Sequence, residues 1–195
     1  MRKTQVVTLP LLTLACFSLF ATNAAGQSSS RLEMGINYNY VRTNAGPGDC
    51  GCISLQGGSG WASYNLSRSF GLVGEVASQH ASNIGPLTAD LTLTSFMGGV
   101  RYKKNAGRHL SPFGQVVLGG AHASGSMAPG NSGIPGSSNA FAMAAGGGID
   151  LRLSRHFALR MIQADYYYTR FPNGVNDHQN NLRIGAGLVV RFGTR

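Results

Sequence analysis

Residues 182–192 read Leu-Arg-Ile-Gly-Ala-Gly-Leu-Val-Val-Arg-Phe. In an extended strand successive side chains point to opposite sides, so Leu182, Ile184, Ala186, Leu188, Val190 and Phe192 share one face, and Arg183, Gly185, Gly187, Val189 and Arg191 share the other. The region from Leu32 behaves alike: Leu32, Met34, Ile36, Tyr38 and Tyr40 alternate with Glu33, Gly35, Asn37 and Asn39. Between these two stretches the same period predicts strands over 59–68, 70–80, 90–104, 112–123, 139–153 and 157–170, with almost no helical period. Eight strands bring both ends of the chain to one rim.

The connections alternate in length. Segments 43–58, 81–89, 124–138 and 171–180 are long or rich in Gly, Pro, Ser and Asn, whereas 68–69, 105–111 and 154–156 are shorter. Short turns at one rim and longer loops at the other describe an all-β, eight-stranded antiparallel up-and-down transmembrane β-barrel, with the short turns in the periplasm. The Gly/Ser/Pro run at 124–138 reads as a loop, and no internal repeat stands out beyond the hairpin rhythm. Composition agrees: of 195 residues 43% are hydrophobic, only 12% are charged and 28 are glycine. That is too little charge to coat a water-soluble domain.

Alternation does not say which face is outside, and a soluble periplasmic ligand-binding barrel with an apolar lumen is the competing architecture. Centring the tight turn on Arg155 sets Asp150 opposite Arg160 and Leu153 opposite Phe157. Glu33 meets Arg191 if the first and last strands close the barrel, and Glu75 is expected to reach Arg101; Asp165 and Arg183 complete the set of lumen charges. A lone buried carboxylate is costly, so each acid is expected to be paired. Arg160 and Asp165 differ by an odd number and cannot both point inward on a regular strand, which predicts a β-bulge near Ile162 or Gln163. Aromatics gather at the strand ends: Phe70, Tyr102, Phe157 and Phe192 at the short-turn rim, Tyr40, Phe141, Tyr166 and Tyr168 at the loop rim. The inward glycines Gly35, Gly99, Gly119, Gly146, Gly148, Gly185 and Gly187 relieve crowding in a narrow lumen, and Gly187→Ser is expected to be milder than Leu188→Arg.

Residues 1–26 have the three parts of a secretory signal peptide: Arg2-Lys3, an apolar stretch from Val6 to Ala21, and Asn23-Ala24-Ala25-Gly26, with cleavage expected after Ala25 or Gly26. The barrel domain then covers 27–195. Cys16 lies in the leader; Cys50 and Cys52 form either a tight loop-tip disulfide or two free thiols. His109, His122, His156 and His178 lack metal-ligand spacing, so neither metal nor cofactor is expected. Basic residues number 16 against 7 acids and gather towards the short-turn rim, where anionic lipid head groups account for them. A signal peptide and the lack of a recognition helix argue against nucleic acid.

Phe96-Met97-Gly98-Gly99-Val100-Arg101-Tyr102, Gly146-Gly147-Gly148-Ile149-Asp150-Leu151-Arg152, the stretch Arg160 to Tyr166, and the closing Gly187-Leu188-Val189-Val190-Arg191-Phe192 together resemble the eight-stranded outer-membrane β-barrel family of the OmpA/OmpX type. The resemblance implies a Gram-negative outer-membrane location, and it implies that the last segment is read by the barrel-insertion machinery. Family members usually end on the aromatic; here Gly193-Thr194-Arg195 follow it. The scaffold implies no single activity.

The leading reading is a monomeric structural or surface-interaction protein with a filled polar lumen, surrounded by outer-membrane lipids. Any extracellular ligand is unspecified and is carried by the loops around 43–58 and 124–138. The alternative is an enzyme. His80-Ala81-Ser82-Asn83 is similar to the His-x-Ser-Asn motif of outer-membrane lipid A deacylases, with His80 as base for Ser82 and Asp90 as the nearest orienting acid. The motif is short, sits earlier than in that family, and its acid spacing is not matched.

Overall fold

The computed structural model describes residues 30–44, 53–84, 89–104, 109–126, 136–172 and 177–194. Eight strands follow in chain order: β1 Ser30–Thr43, β2 Ile53–Asn65, β3 Phe70–Ile84, β4 Ala89–Lys103, β5 Leu110–Gly125, β6 Gly136–Arg152, β7 Phe157–Thr169 and β8 Gln179–Thr194. Each pairs antiparallel with the next and β8 returns to β1, so the sheet closes as a barrel and leaves no edge. The signal segment, Cys50 and Cys52 lie outside the described residues.

The strands run further towards the loop end than the apolar alternation marks. β2 begins at Ile53 rather than 59 and ends at Asn65; β6 begins at Gly136 rather than 139. Gly57, Gly58 and Ser59 carry no apolar pattern, yet their backbones pair with Asn39, Tyr38 and Asn37 on β1 and with Gln79, Ser78 and Ala77 on β3. Ladder hydrogen bonds need only backbone, and a membrane face is needed only over the hydrocarbon thickness. Strands of 13 to 17 residues exceed the roughly 9–11 that a bilayer requires.

The apolar face looks outward. Leu188 is 53% exposed and Ile36 65%, whereas Asp150 and Arg160 are fully buried. A soluble barrel with an apolar lumen does not fit this arrangement. The irregularity in β7 is present where parity requires it. Across β6–β7, Ile149 faces Ile162 and Asp150 faces Arg160, so Met161 is the extra residue. Both Met161 and Ile162 then face out, and Arg160 and Asp165 both face in. The aromatics gather at the two ends of the outer wall, with Phe70 edge-on against Tyr102 at 5.0 Å.

Glycines on the two faces have different reasons to be there. A Cβ at Gly99, Gly119 or Gly187 would lie 2.0 Å from the carbonyl oxygen of Val116, Phe96 or Ile36, while at Gly60 and Gly74 it would meet nothing within 4 Å. The inward glycines therefore permit close approach of neighbouring strands. The same contact gives Gly187→Ser a cost of its own, because the obstacle is backbone and cannot swing away.

Two short turns repeat one sequence, Leu66-Ser67-Arg68-Ser69-Phe70 and Leu153-Ser154-Arg155-His156-Phe157. In each, the Leu N–H and the Ser N–H donate to the Phe carbonyl, and the Phe N–H donates to the Ser Oγ, at 3.0 Å for Phe70 and 3.1 Å for Phe157. The serine side chain thus replaces a missing backbone partner. Each turn leaves a Leu, an Arg and a Phe exposed at its edge. This Leu-Ser-Arg-x-Phe repeat was legible in the sequence and corrects the expectation of no repeat.

Candidate interaction surface and the ionic lumen

The inward charges form one connected chain. Arg191 Nε lies 3.3 Å from Glu33, whose other oxygen is 2.8 Å from Lys103 Nζ. Lys103 also reaches Asp150 at 2.9 Å, and Asp150 takes Arg160 Nε at 2.9 Å. Arg160 Nη1 donates to Gln163 Oε1 and Gln163 Nε2 donates to Asp165, both at 2.7 Å. Asp165 then binds Arg183 Nη2 at 2.8 Å, and Arg183 Nη1 closes the chain on Glu75. Positive and negative groups alternate along the path, with neutral Gln163 bridging Arg160 and Asp165, and every buried carboxylate has an opposite charge beside it. That is the condition under which buried ions are tolerated.

Of the pairs expected from sequence, Glu33–Arg191 and Asp150–Arg160 are formed, and Asp165 meets Arg183. Glu75–Arg101 is not. Glu75 faces Met97 in the β3–β4 register and Arg101 faces Gly71, so the two are displaced along the barrel. Glu75 instead pairs across the lumen with Arg183 of β8, and Arg101 donates from Nε and Nη2 to Gln115 Oε1 at 3.1 and 2.6 Å. In a lumen only as wide as two side chains, a strand opposite is as close as the strand adjacent. Lys103 and Gln163 were not expected here. Lys103 read as a rim charge, but its position two after Arg101 gives it inward parity and its long stem brings the ammonium to the acids. Arg101 and Arg160 both lie over Trp61, at 4.1 and 4.2 Å from the ring centre, and over Phe113, at 4.9 and 4.2 Å. These are cation–π distances.

The outer wall changes character towards the loop end. Above the apolar band, side chains pair across strands: Tyr38 donates to Gln56 at 2.6 Å, Tyr40 Oη lies 2.8 Å from Ser54, and Arg42 Nη1 donates to Ser54 at 2.7 Å. Ser78 meets Thr94 at 3.2 Å, His80 meets Thr92 at 2.9 Å, and His122 meets Asn139 at 2.7 Å. Tyr166 donates to Asn180, and Tyr168 stacks on His178 with ring centres 5.5 Å apart. Each hairpin that opens at the loop end, β1–β2, β3–β4, β5–β6 and β7–β8, therefore carries at least one outward polar pair. Such groups are costly in hydrocarbon, so this collar suits a position beyond the apolar membrane layer.

His80, Ser82 and Asp90 belong to this collar. All three are exposed, but His80 Nδ1 is engaged with Thr92, and the Asp90 backbone N–H donates to Ser126 Oγ at 2.9 Å. Among the described residues no hydrogen bond joins His80 to Ser82 or to Asp90, so the base–nucleophile–acid relay of the hydrolase reading is not assembled. At the opposite end Arg31, Arg68 and Arg155 are exposed. The loop segments expected to bind fall mostly outside the described residues, and their ends at 53–58, 124–125 and 136–138 are strand.

With this geometry in hand, a family model for the outer membrane protein β-barrel domain matches residues 12–192. The chain belongs to the outer membrane protein β-barrel family. No sequence among the curated proteins matches this chain. Solved members of similar architecture include Ail, the attachment invasion locus protein of Yersinia pestis, with 18% identity, a TM-score of 0.58, and coverage of 84% of this chain and 99% of that one. Neisserial surface protein A (NspA) gives 15% identity and a TM-score of 0.63, covering 86% of this chain and 100% of its own. The N-terminal barrel domain of Pseudomonas aeruginosa OprF gives 19% and 0.51, covering 85% and 100%. At these identities the likeness is one of fold: an outer-membrane β-barrel whose described strands account for nearly the full length of each relative.

Proposed function

We propose that this outer-membrane barrel is a structural and surface-interaction protein that works through its loop end, as a monomer, and not as a conduit. The observation that supports the reading is the chain of ion pairs from Arg191 to Glu75, whose mutually neutralised side chains occupy the interior of a barrel of a size that side chains suffice to fill. Function then falls to the collar and the loops it supports, which a rigid closed wall holds in place. One structure of Ail holds a heparin analogue, sucrose octasulfate. For this chain a polyanion at the loop end has less support: the exposed charges described there are Arg42 and Arg170 against Asp90 and Asp177.

The leader at 1–26 directs export and is cleaved, and 187–192 is the segment read during membrane insertion. Lipid surrounds the wall, with Arg68 and Arg155 at the repeated turns facing anionic head groups on the periplasmic side.

The test replaces segments 45–52 and 127–135 with short turns and captures partners from intact cells. The expected result is loss of capture while the barrel still shows heat-modifiable gel migration. Undiminished capture, or stable large channels from the unaltered protein in planar bilayers, overturns the reading.

A further inference from the structure

The charge pattern of the lumen does not close to zero. Glu33, Glu75, Asp150 and Asp165 point inward, and so do Arg101, Lys103, Arg160, Arg183 and Arg191, with the half-buried Arg152 on the same face of β6 nearer the rim. Four of those cations take their places in the alternating chain. Arg101 is the remaining buried one: it is 2% exposed and has no carboxylate within ion-pair distance among the described residues. It has no anionic counterpart, only the neutral Gln115 Oε1 and the faces of Trp61 and Phe113. Arg160, a second cation, lies over the same two rings.

Three of the polar atoms left over around Arg101 are donors, and one leftover acceptor, Glu75 Oε2, belongs to the carboxylate that faces Trp61 across β2–β3 and is paired with Arg183. Arg101 Nη1, Gln115 Nε2 and Trp61 Nε1 are buried N–H donors without a hydrogen-bond acceptor among the described residues, and Ser63 Oγ nearby can donate as well. Buried donors ordinarily find acceptors, and a buried cation ordinarily finds a charge. The nearest carboxylates are not within ion-pair distance of it, since Asp150 is held by Lys103 and Arg160, Glu33 by Lys103 and Arg191, and Glu75 by Arg183. A water molecule accepts hydrogen bonds but leaves the charge uncompensated. A small monovalent anion does both.

We infer that the lower lumen holds a halide-sized anion, chloride in the cell envelope, on Arg101 Nη1 and Gln115 Nε2 beside Trp61. The site gives Arg101 a counter-charge that the protein's own acids do not supply within ion-pair distance. It is a structural ion of the lumen plug and is separate from the loop-end surface.

The chain has a single tryptophan, Trp61, and it is 4% exposed, so its fluorescence reports on this place alone. The experiment titrates the folded full-length barrel in detergent with bromide, a quenching halide, against sodium gluconate at constant ionic strength, with neutral acrylamide as a measure of general access. Quenching that saturates with bromide, with little effect of acrylamide, is expected for the unaltered protein, and is expected to be lost in Arg101→Met and in Gln115→Leu. Two variants are used because removing the buried guanidinium can impair folding, whereas the amide replacement leaves the charge in place. Bromide quenching that is absent, that fails to saturate, or that persists in a folded variant overturns the site and leaves water as the only occupant.

Discussion

Arg160 and Asp150 face each other across the β6–β7 pairing with both side chains fully buried, the guanidinium Nε 2.9 Å from the carboxylate. Their contact joins the short-turn half of the ion chain to the half that continues through Gln163 to Glu75. It also depends on the bulge at Met161, without which one of Arg160 and Asp165 would point into lipid. Register, bulge and ion pair are thus one structural device.

Removing one partner leaves the other as an uncompensated buried charge. Asp150→Asn is expected to cost about 3–5 kcal/mol of folding stability, read from urea unfolding of the barrel refolded into lipid vesicles. A double replacement, Asp150→Leu with Arg160→Met, is expected to cost less than that single change, because no orphan charge remains.

The two classes of glycine predict opposite outcomes. Gly187→Ala drives a Cβ to 2.0 Å from the Ile36 carbonyl and is expected to cost about 1–3 kcal/mol or to lower the refolded yield. Gly74→Ala, where a Cβ meets nothing within 4 Å, is expected to be neutral within error in the same urea series.

On the outer wall, Leu188→Arg is expected to destabilise the inserted barrel by about 2–4 kcal/mol if the residue lies at the bilayer midplane. The polar collar behaves otherwise. Thr94→Arg, placed above the apolar band, is expected to leave stability nearly unchanged in the same vesicle assay, and an equal loss at both positions would misplace the membrane boundary.

The repeated turns give a further check. Ser67→Ala and Ser154→Ala each remove the acceptor of a Phe N–H, and each is expected to cost on the order of 0.5–1.5 kcal/mol. If the two turns are equivalent in energy as in geometry, the unfolding midpoints of the two variants coincide.

Much of this was legible because strand parity is a strong constraint. It assigned the inward and outward faces of β1 and β8, paired Asp150 with Arg160 by counting from a turn, and placed the bulge from the odd spacing of Arg160 and Asp165. Parity gives a face, however, and not a position across the lumen. Glu75 was matched to Arg101 on the neighbouring strand, whereas the narrow interior let Arg183 reach it from the other side. The polar collar was missed for a related reason: Gln56 fell in a segment read as a loop, and Ser78, His80, Thr92 and His122 lay towards the ends of expected strands, where no apolar alternation marked their outward side chains as paired. His80 and Ser82 then resembled a catalytic motif, where the register makes His80 one half of a cross-strand pair with Thr92.

The central claim is that the apolar face of each strand touches lipid and the ionic face is enclosed. Spin labels placed singly along β8 from 182 to 192, in the barrel reconstituted into lipid vesicles, test it most directly. The account predicts that accessibility to membrane-dissolved oxygen is high at 182, 184, 186, 188, 190 and 192 and low at 183, 185, 187, 189 and 191. An inverted phase, or no alternation at all, would contradict it.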